Sequence, residues 1–266
     1  MADDEKPLPV TSSTPPDFLP EAVECYTGVL RSLSESRIPH AIAGAFALHR
    51  HTGIWRATKD LDVFLEAKSI PEALWKLDEL GFTTYIEDPV WLAKASRGEF
   101  FVDLITAVGN AVLFVDETWL ARAERCELLG ISCPVLEPEE IIASKLFVSR
   151  RERFDGADVA HLIRACGSRM DWERLQYLLA DHWELLLWAV TFFAYVYPAH
   201  LNVVPQELWT GMLERLAQRV KAGEKDGVFR GTLIDPLMFR IDAAEWGERD
   251  LYREFRDRYL AAREKE

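Results

Sequence analysis

The chain has 266 residues, a formal net charge of −13, 49% hydrophobic and 28% charged residues. That balance excludes a disordered or fibrous chain and supplies core for one large domain or two modest ones. An acidic surface argues against non-specific nucleic-acid binding, which depends on Lys and Arg neutralising phosphates, although a local basic patch would still serve an RNA acceptor.

The four cysteines, Cys25, Cys126, Cys133 and Cys166, form no Cys-x-x-Cys pair and have no nearby histidines to complete a zinc pattern. They read as reduced thiols of a cytosolic protein. No charged-then-apolar leader opens the sequence. The longest apolar run, Leu185 to Tyr197 with Thr191 inside it, is too short to span a bilayer. The expectation is a cytoplasmic protein with no membrane partner.

In chain order, residues 1–20 hold Pro7, Pro9, Pro15, Pro16 and Pro20 among acidic and hydroxyl residues, the composition of a flexible tail. From Glu21 to Ser34, Val23, Tyr26, Val29, Leu30 and Leu33 recur at helical spacing. Ile38-Pro39 ends that helix. His40 to Ala43 reads as a short buried strand, and a helix opens after Gly44 over Ala45 to Arg50. Leu61 to Leu65 fits a strand. Ile70 to Leu80 is a predicted helix with Gly81 at its C-cap. Trp91 to Ala95 and Phe100 to Ile105 are predicted strands joined through Arg97-Gly98, and Glu127 to Leu129 pairs with Ile131 to Val135 around Gly130.

After Pro138 the pattern turns helical: Glu139 to Arg151, Ala157 to Cys166, Asp171 to Leu179, Trp183 to Tyr197, Pro205 to Ala222 and Glu248 to Arg263. Asp171 is a candidate N-cap and Pro205 a first-turn proline. The fold class is therefore α+β, a mixed sheet with flanking helices followed by an all-helical C-terminal half. The expected divisions are the tail 1–20, a core 21–148 and a helical domain 149–266.

The chemistry concentrates in Asp60-Leu61-Asp62. Two carboxylates at i and i+2 on a strand point the same way and can grip one hard cation. Val63-Phe64-Leu65 follows, so the pair sits on a buried strand, where unpaired charge is costly. Gly44, between a strand and a helix start, lets a phosphate approach backbone N–H groups. Asp103 stands inside the apolar strand Phe101 to Ile105, and a neighbouring strand can bring it beside the pair. Such a cluster suits two-metal chemistry.

The run Gly44-Ala45-Phe46-Ala47-Leu48, then Arg56-Ala57-Thr58-Lys59-Asp60-Leu61-Asp62, resembles the nucleotidyltransferase superfamily with a DNA polymerase β-like core. More narrowly it resembles bacterial nucleotidyltransferase-like proteins that include toxin–antitoxin and abortive-infection types. The likeness continues through Leu136 to Glu140, Lys145 and Arg153 to Asp158, covering about residues 38–165. It implies that Asp60 and Asp62 bind both metals, and that Asp103 binds the catalytic metal and helps activate the acceptor hydroxyl. It also implies that Gly44 cradles phosphate and that Lys145 and Arg56 neutralise it.

The expected cofactor is Mg²⁺, two ions, with Mn²⁺ as a substitute. The expected partners are a nucleoside triphosphate, an acceptor that is an RNA end, a protein hydroxyl or a small molecule, and, for a toxin type, an antitoxin. The expected reaction transfers a nucleoside monophosphate to an acceptor hydroxyl with release of pyrophosphate. The sequence departs from the pattern at Ala45, where the family usually has Gly or Ser. Loss of a serine hydroxyl would cost on the order of 1 kcal/mol of nucleotide binding, and it opens the alternative of an idle nucleotide- or partner-binding module on the same scaffold.

Blander readings stand beside these. Asp103 pairs with an arginine. Lys145 is a surface lysine and Arg56 a structural partner. His49 and His51 face different directions. Asp155, Asp158 and His161 are solvated or capping, with a contact of either acid to Arg153 as a middle course. Trp172, Trp183, Trp188 and Trp209 are core. The basic run Arg150-Arg151-Glu152-Arg153 is a solvated face or receives an anionic acceptor.

Overall fold

The computed structural model describes residues 11–12 (backbone only), 18–56, 58–150, 153–223 and 227–265. Most of the expected tail, including Pro7, Pro9, Pro15 and Pro16, lies outside the described residues, as do Ala57, Arg151 and Glu152.

The N-terminal part runs β1 (Thr11–Ser12), α1 (Pro20–Glu35), β2 (His40–Ile42), α2 (Gly44–Thr52), β3 (Trp55–Arg56), β4 (Asp60–Leu65), α3 (Ile70–Glu79), β5 (Thr83–Asp88), β6 (Leu92–Arg97), β7 (Phe100–Ile105), α4 (Glu117–Arg122), β8 (Glu124–Leu128) and β9 (Ile131–Val135). Seven strands form one mixed sheet in the order β5-β6-β7-β4-β2-β9-β8. Two pairings are parallel, β4 with β7 and β2 with β9; the others in this sheet are antiparallel. Alternation divides the central strands. Leu61, Val63, Leu65, Val102 and Leu104 are fully buried on one face, while Asp60, Asp62 and Asp103 take the opposite face.

The C-terminal part comprises α5 (Pro138–Leu146), β10 (Ser149–Arg150), β11 (Arg153–Phe154), α6 (Gly156–Cys166), α7 (Trp172–Leu179), α8 (Trp183–Val196), α9 (Gln206–Ala222), α10 (Gly231–Ile234), α11 (Arg240–Glu245) and α12 (Leu251–Arg263). One hydrophobic cluster runs from Ala22 through Met212 and joins both parts. Buried Glu139 and Glu140 tie α5 to its neighbours. Arg174 Nε donates to Glu140 Oε1 at 2.9 Å, and the Asp171 N–H donates to Glu139 Oε1 at 2.6 Å. Arg122 Nε lies 3.5 Å from Glu140 Oε1. No described helix is long and apolar enough to cross a membrane.

Several expectations need correction. The helix expected to reach Arg151 stops at Leu146, and Ser149–Arg150 pairs instead with Arg153–Phe154. The helical half thus contains a small hairpin that no glycine or proline announced. β5 is an edge strand with four of its six residues exposed, so it carries no alternating pattern. The short helices α4, α10 and α11 also escaped the periodicity. Pro205 caps α9 rather than occupying its first turn. Asp171 does cap α7, accepting the Arg174 N–H at 2.9 Å. Trp172 and Trp183 are buried, whereas Trp188 is 39% exposed.

Candidate active site

The parallel β4–β7 pairing sets Asp62 directly opposite Asp103 in register, with Asp60 opposite Phe101. Side chains in register on neighbouring strands share a face, and Asp60 shares it by the i, i+2 rule. The three carboxylates place ligand oxygens within 4.8 Å of one another. Sheet hydrogen bonding fixes this convergence, so like charges are brought together by backbone geometry.

The charges are only partly compensated. Burial pushes the Asp62 carboxyl up to about 7, Asp60 and Asp103 push the same way, and Lys145 and Arg153 oppose them. Burial also raises Asp103, against the pull of Lys94 and with a further push from Asp60. Lys94 Nζ on β6 lies 3.2 Å from Asp103 Oδ1. Asp103 therefore pairs with a lysine of the adjacent strand rather than an arginine. The hydroxyl of Thr58 donates to Asp60 Oδ1, which gives the threonine of the Arg-x-Thr-x-Asp run a positioning duty that residue type alone did not reveal.

Gly44 starts α2 with φ +59°, and a Cβ there would lie 1.8 Å from Asp62 Oδ2. The Asp62 carboxylate occupies the space a side chain would need, and the left-handed backbone favours glycine as well. Among the described residues no side chain caps α2 at Ala43. The first-turn amides are therefore not used up by a side-chain cap, and Ala45 contributes its backbone there without a hydroxyl.

A cleft of about 140 Å³ opens beside Asp62 and Gly44, and Asp60 and Asp103 are not among the residues that line it. Asp62, Ala43 and Gly44 form its floor, Lys145, Arg150, Arg153 and Asp155 a charged side, and Phe64, Trp91, Ile105 and Val108 an apolar side. Lys145 Nζ sits 2.9 Å from Asp155 Oδ2 and 2.8 Å from Asp158 Oδ2. Although burial pushes Asp155 up, Lys145 and Arg153 hold its carboxyl below the usual range.

The reading of Asp155 and Asp158 as solvated or capping is corrected. Asp158 is buried and pairs with both Lys145 and Arg56. Asp155 occupies the N-cap position of α6 but makes no cap bond; it pairs with Lys145 and with Arg153, 3.3 Å from Nη2. Arg56 is engaged with Asp158 and is not among the residues lining the cleft. His49 stacks on Trp55 with ring centroids 4.3 Å apart, and His51 Nε2 meets the Leu136 carbonyl at 2.7 Å. Neither belongs to the acid cluster.

Sequence reasoning missed Lys94 and Trp91 as site residues. A lysine nine residues before Asp103 across a hairpin was the available signal for the first. Trp91 was read as a strand residue, yet it precedes β6 and lines the cleft.

Three carboxylates converging from two neighbouring strands form a hard oxygen donor set that could hold a divalent ion.

Solved structures of similar shape include the antibiotic-resistance factor ANT(2'')-Ia, at 19% identity over 63% of this chain and 94% of that one, TM-score 0.45. The lincosamide antibiotic adenylyltransferase LnuA bound to lincomycin matches at 12% identity over 58% and 96%, TM-score 0.38. A nucleotidyltransferase-like antigenic protein of Paracoccidioides brasiliensis matches at 18% identity over 70% and 94%, TM-score 0.37. No curated protein sequence matches the chain. The family described as nucleotidyl transferase of unknown function (DUF2204) matches residues 22–177, more than half of the chain. With its acid cluster on a mixed sheet, the chain belongs to that nucleotidyl transferase family and is an enzyme.

Proposed function

We propose that this enzyme transfers a nucleoside monophosphate from a nucleoside triphosphate to an acceptor hydroxyl and releases pyrophosphate. The carrying observation is the convergence of Asp60, Asp62 and Asp103 within 4.8 Å, with Asp62 lining a cleft whose charged side bears Lys145, Arg150 and Arg153. The acceptor oxygen forms a bond to the α-phosphorus as the bond to the bridging oxygen of pyrophosphate breaks. The acceptor proton passes to the Asp103 carboxylate. Asp60, Asp62 and Asp103 would hold Mg²⁺, which when bound neutralises triphosphate charge and lowers the pKa of the attacking hydroxyl.

The remaining work belongs to the side chains. Lys145, Arg150 and Arg153 attract and orient the triphosphate, and Gly44 admits it to the start of α2. Arg56 acts one step back, sharing Asp158 with Lys145. The acceptor is an RNA end, a protein hydroxyl or a small molecule. An antitoxin partner gains no support from the comparisons.

The test incubates the full chain with each labelled nucleoside triphosphate, Mg²⁺ and cell extract, and follows both pyrophosphate and the labelled fraction. Mg²⁺-dependent label transfer with matching pyrophosphate supports the reading. Tight nucleotide binding with no pyrophosphate favours the idle module that Ala45 suggests. No Mg²⁺-dependent binding at all would leave the acids as a structural cluster.

A further inference from the structure

Beyond residue 177 the chain leaves the family match, yet its last long helix returns to the cleft. Arg256 on α12 donates from Nη2 to both Asp88 oxygens at 3.0 Å and from Nη1 to the Gly109 carbonyl at 2.8 Å. Those two segments hold Trp91. Asp88 Oδ1 also accepts the Val90 N–H at 2.9 Å. The Trp91 N–H reaches the Asp88 carbonyl at 3.3 Å, and the Trp91 carbonyl accepts the Thr106 N–H at 2.9 Å. The indole packs on Gly109, where a Cβ would stand 3.2 Å from Nε1. One guanidinium therefore ties the loop that carries the indole to the turn on which it rests.

The same helix and its approach are anchored nearby. Tyr259 stacks on Phe114 with centroids 4.7 Å apart, and Asn110 Nδ2 donates to the Leu233 carbonyl at 2.9 Å. Arg256 lies over the Tyr252 ring at 5.1 Å.

We infer that Trp91 is the platform on which the nucleobase stacks, and that Arg256 is a positioning residue that completes the nucleotide cleft from the C-terminal helix. The inference rests on the nucleotidyl-transfer reading. A nucleoside triphosphate is divided as the cleft is divided. Its phosphates suit the side bearing Lys145, Arg150 and Arg153, and its flat ring suits the side bearing Phe64, Trp91, Ile105 and Val108. Base–aromatic stacking is insensitive to base identity but needs a fixed ring. Arg256 supplies the fixing through a planar, forked geometry that lysine cannot reproduce.

The test is calorimetric titration of the full chain, with Mg²⁺, against each of the four nucleoside triphosphates and against inorganic tripolyphosphate, which has charge but no ring. Trp91→Ala and Arg256→Ala should each weaken triphosphate nucleotides by about tenfold or more and leave tripolyphosphate within about twofold. The double variant should be no weaker than Trp91→Ala alone, since the arginine acts through the tryptophan. Arg256→Lys should fall between the parent and Arg256→Ala, and Asp88→Asn supplies a second way to break the clamp if Arg256→Ala fails to fold.

Parallel loss of nucleotide and tripolyphosphate, unchanged nucleotide affinity in Trp91→Ala, or a double variant showing the product of both losses overturns the proposal. So does a parent that binds nucleotide no better than tripolyphosphate. A parent that binds neither ligand overturns the functional reading together with it.

Discussion

The acid cluster and the cationic side of the cleft are held by different physics. Asp62 and Asp103 are fixed by consecutive backbone pairings between β4 and β7, so their positions survive the loss of any one side chain. Lys145 and Arg153 are fixed by ion pairs to Asp155 and Asp158, so each depends on its partner's charge. The acids are therefore expected to separate function from stability cleanly, while the cations mix the two.

The sharpest way to expose that contrast is Asp62→Asn. Transfer should fall by about a thousandfold or more, as when charge-stabilising groups are lost at transition states, while thermal unfolding stays at or above the parent's temperature. A parallel collapse of melting temperature would mean that the acids are structural.

Gly44→Ala comes next. Its Cβ must displace the Asp62 carboxylate, and a misplacement of about an ångström costs on the order of a hundredfold in rate. The left-handed backbone adds about 1–2 kcal/mol of destabilisation, readable by denaturant titration. A fully active, equally stable variant would refute the close packing of these two residues.

Lys145→Ala should lose about 1–3 kcal/mol in the same titration, because Asp155 and Asp158 lose their shared ammonium while each keeps one arginine. Loss of nucleotide affinity with no stability change would show the ion pairs to be idle.

The smallest effect concerns Glu137. Burial, with Glu124 and Glu139, raises its carboxyl to about 7, and its Oε1 is buried without a hydrogen-bond partner. A raised carboxylate makes the folded state bind the proton more tightly. Its stabilising contribution is full below the unfolded value near 4.5 and fades as pH climbs through about 7. Glu137→Gln should thus exceed the parent by about 1 kcal/mol at pH 8 and match it near pH 4.5. A gap that widens toward acid would reverse the assignment.

The same contrast explains what could be read before the structure was known. Asp60 and Asp62 were legible because strand alternation is a local rule. The place of Asp103 was only half legible. Its strand could be seen, but the register that sets it against Asp62 comes from a parallel pairing across α3, β5 and β6. The cationic side was harder, since Arg150 and Arg153 reach the cleft through a two-strand hairpin concealed in a helical pattern. β5 had no apolar alternation to show because most of it faces water. The Arg56–Asp158 pair joins residues that no local periodicity connects.

The Asp88–Arg256 clamp joins positions 168 residues apart. Chains leave the ribosome N-terminus first and fold region by region as they emerge, so the acid floor can assemble long before α12 exists. A nascent chain, or one cut at the end of the family match, would carry the carboxylates without the strut that fixes one wall above them.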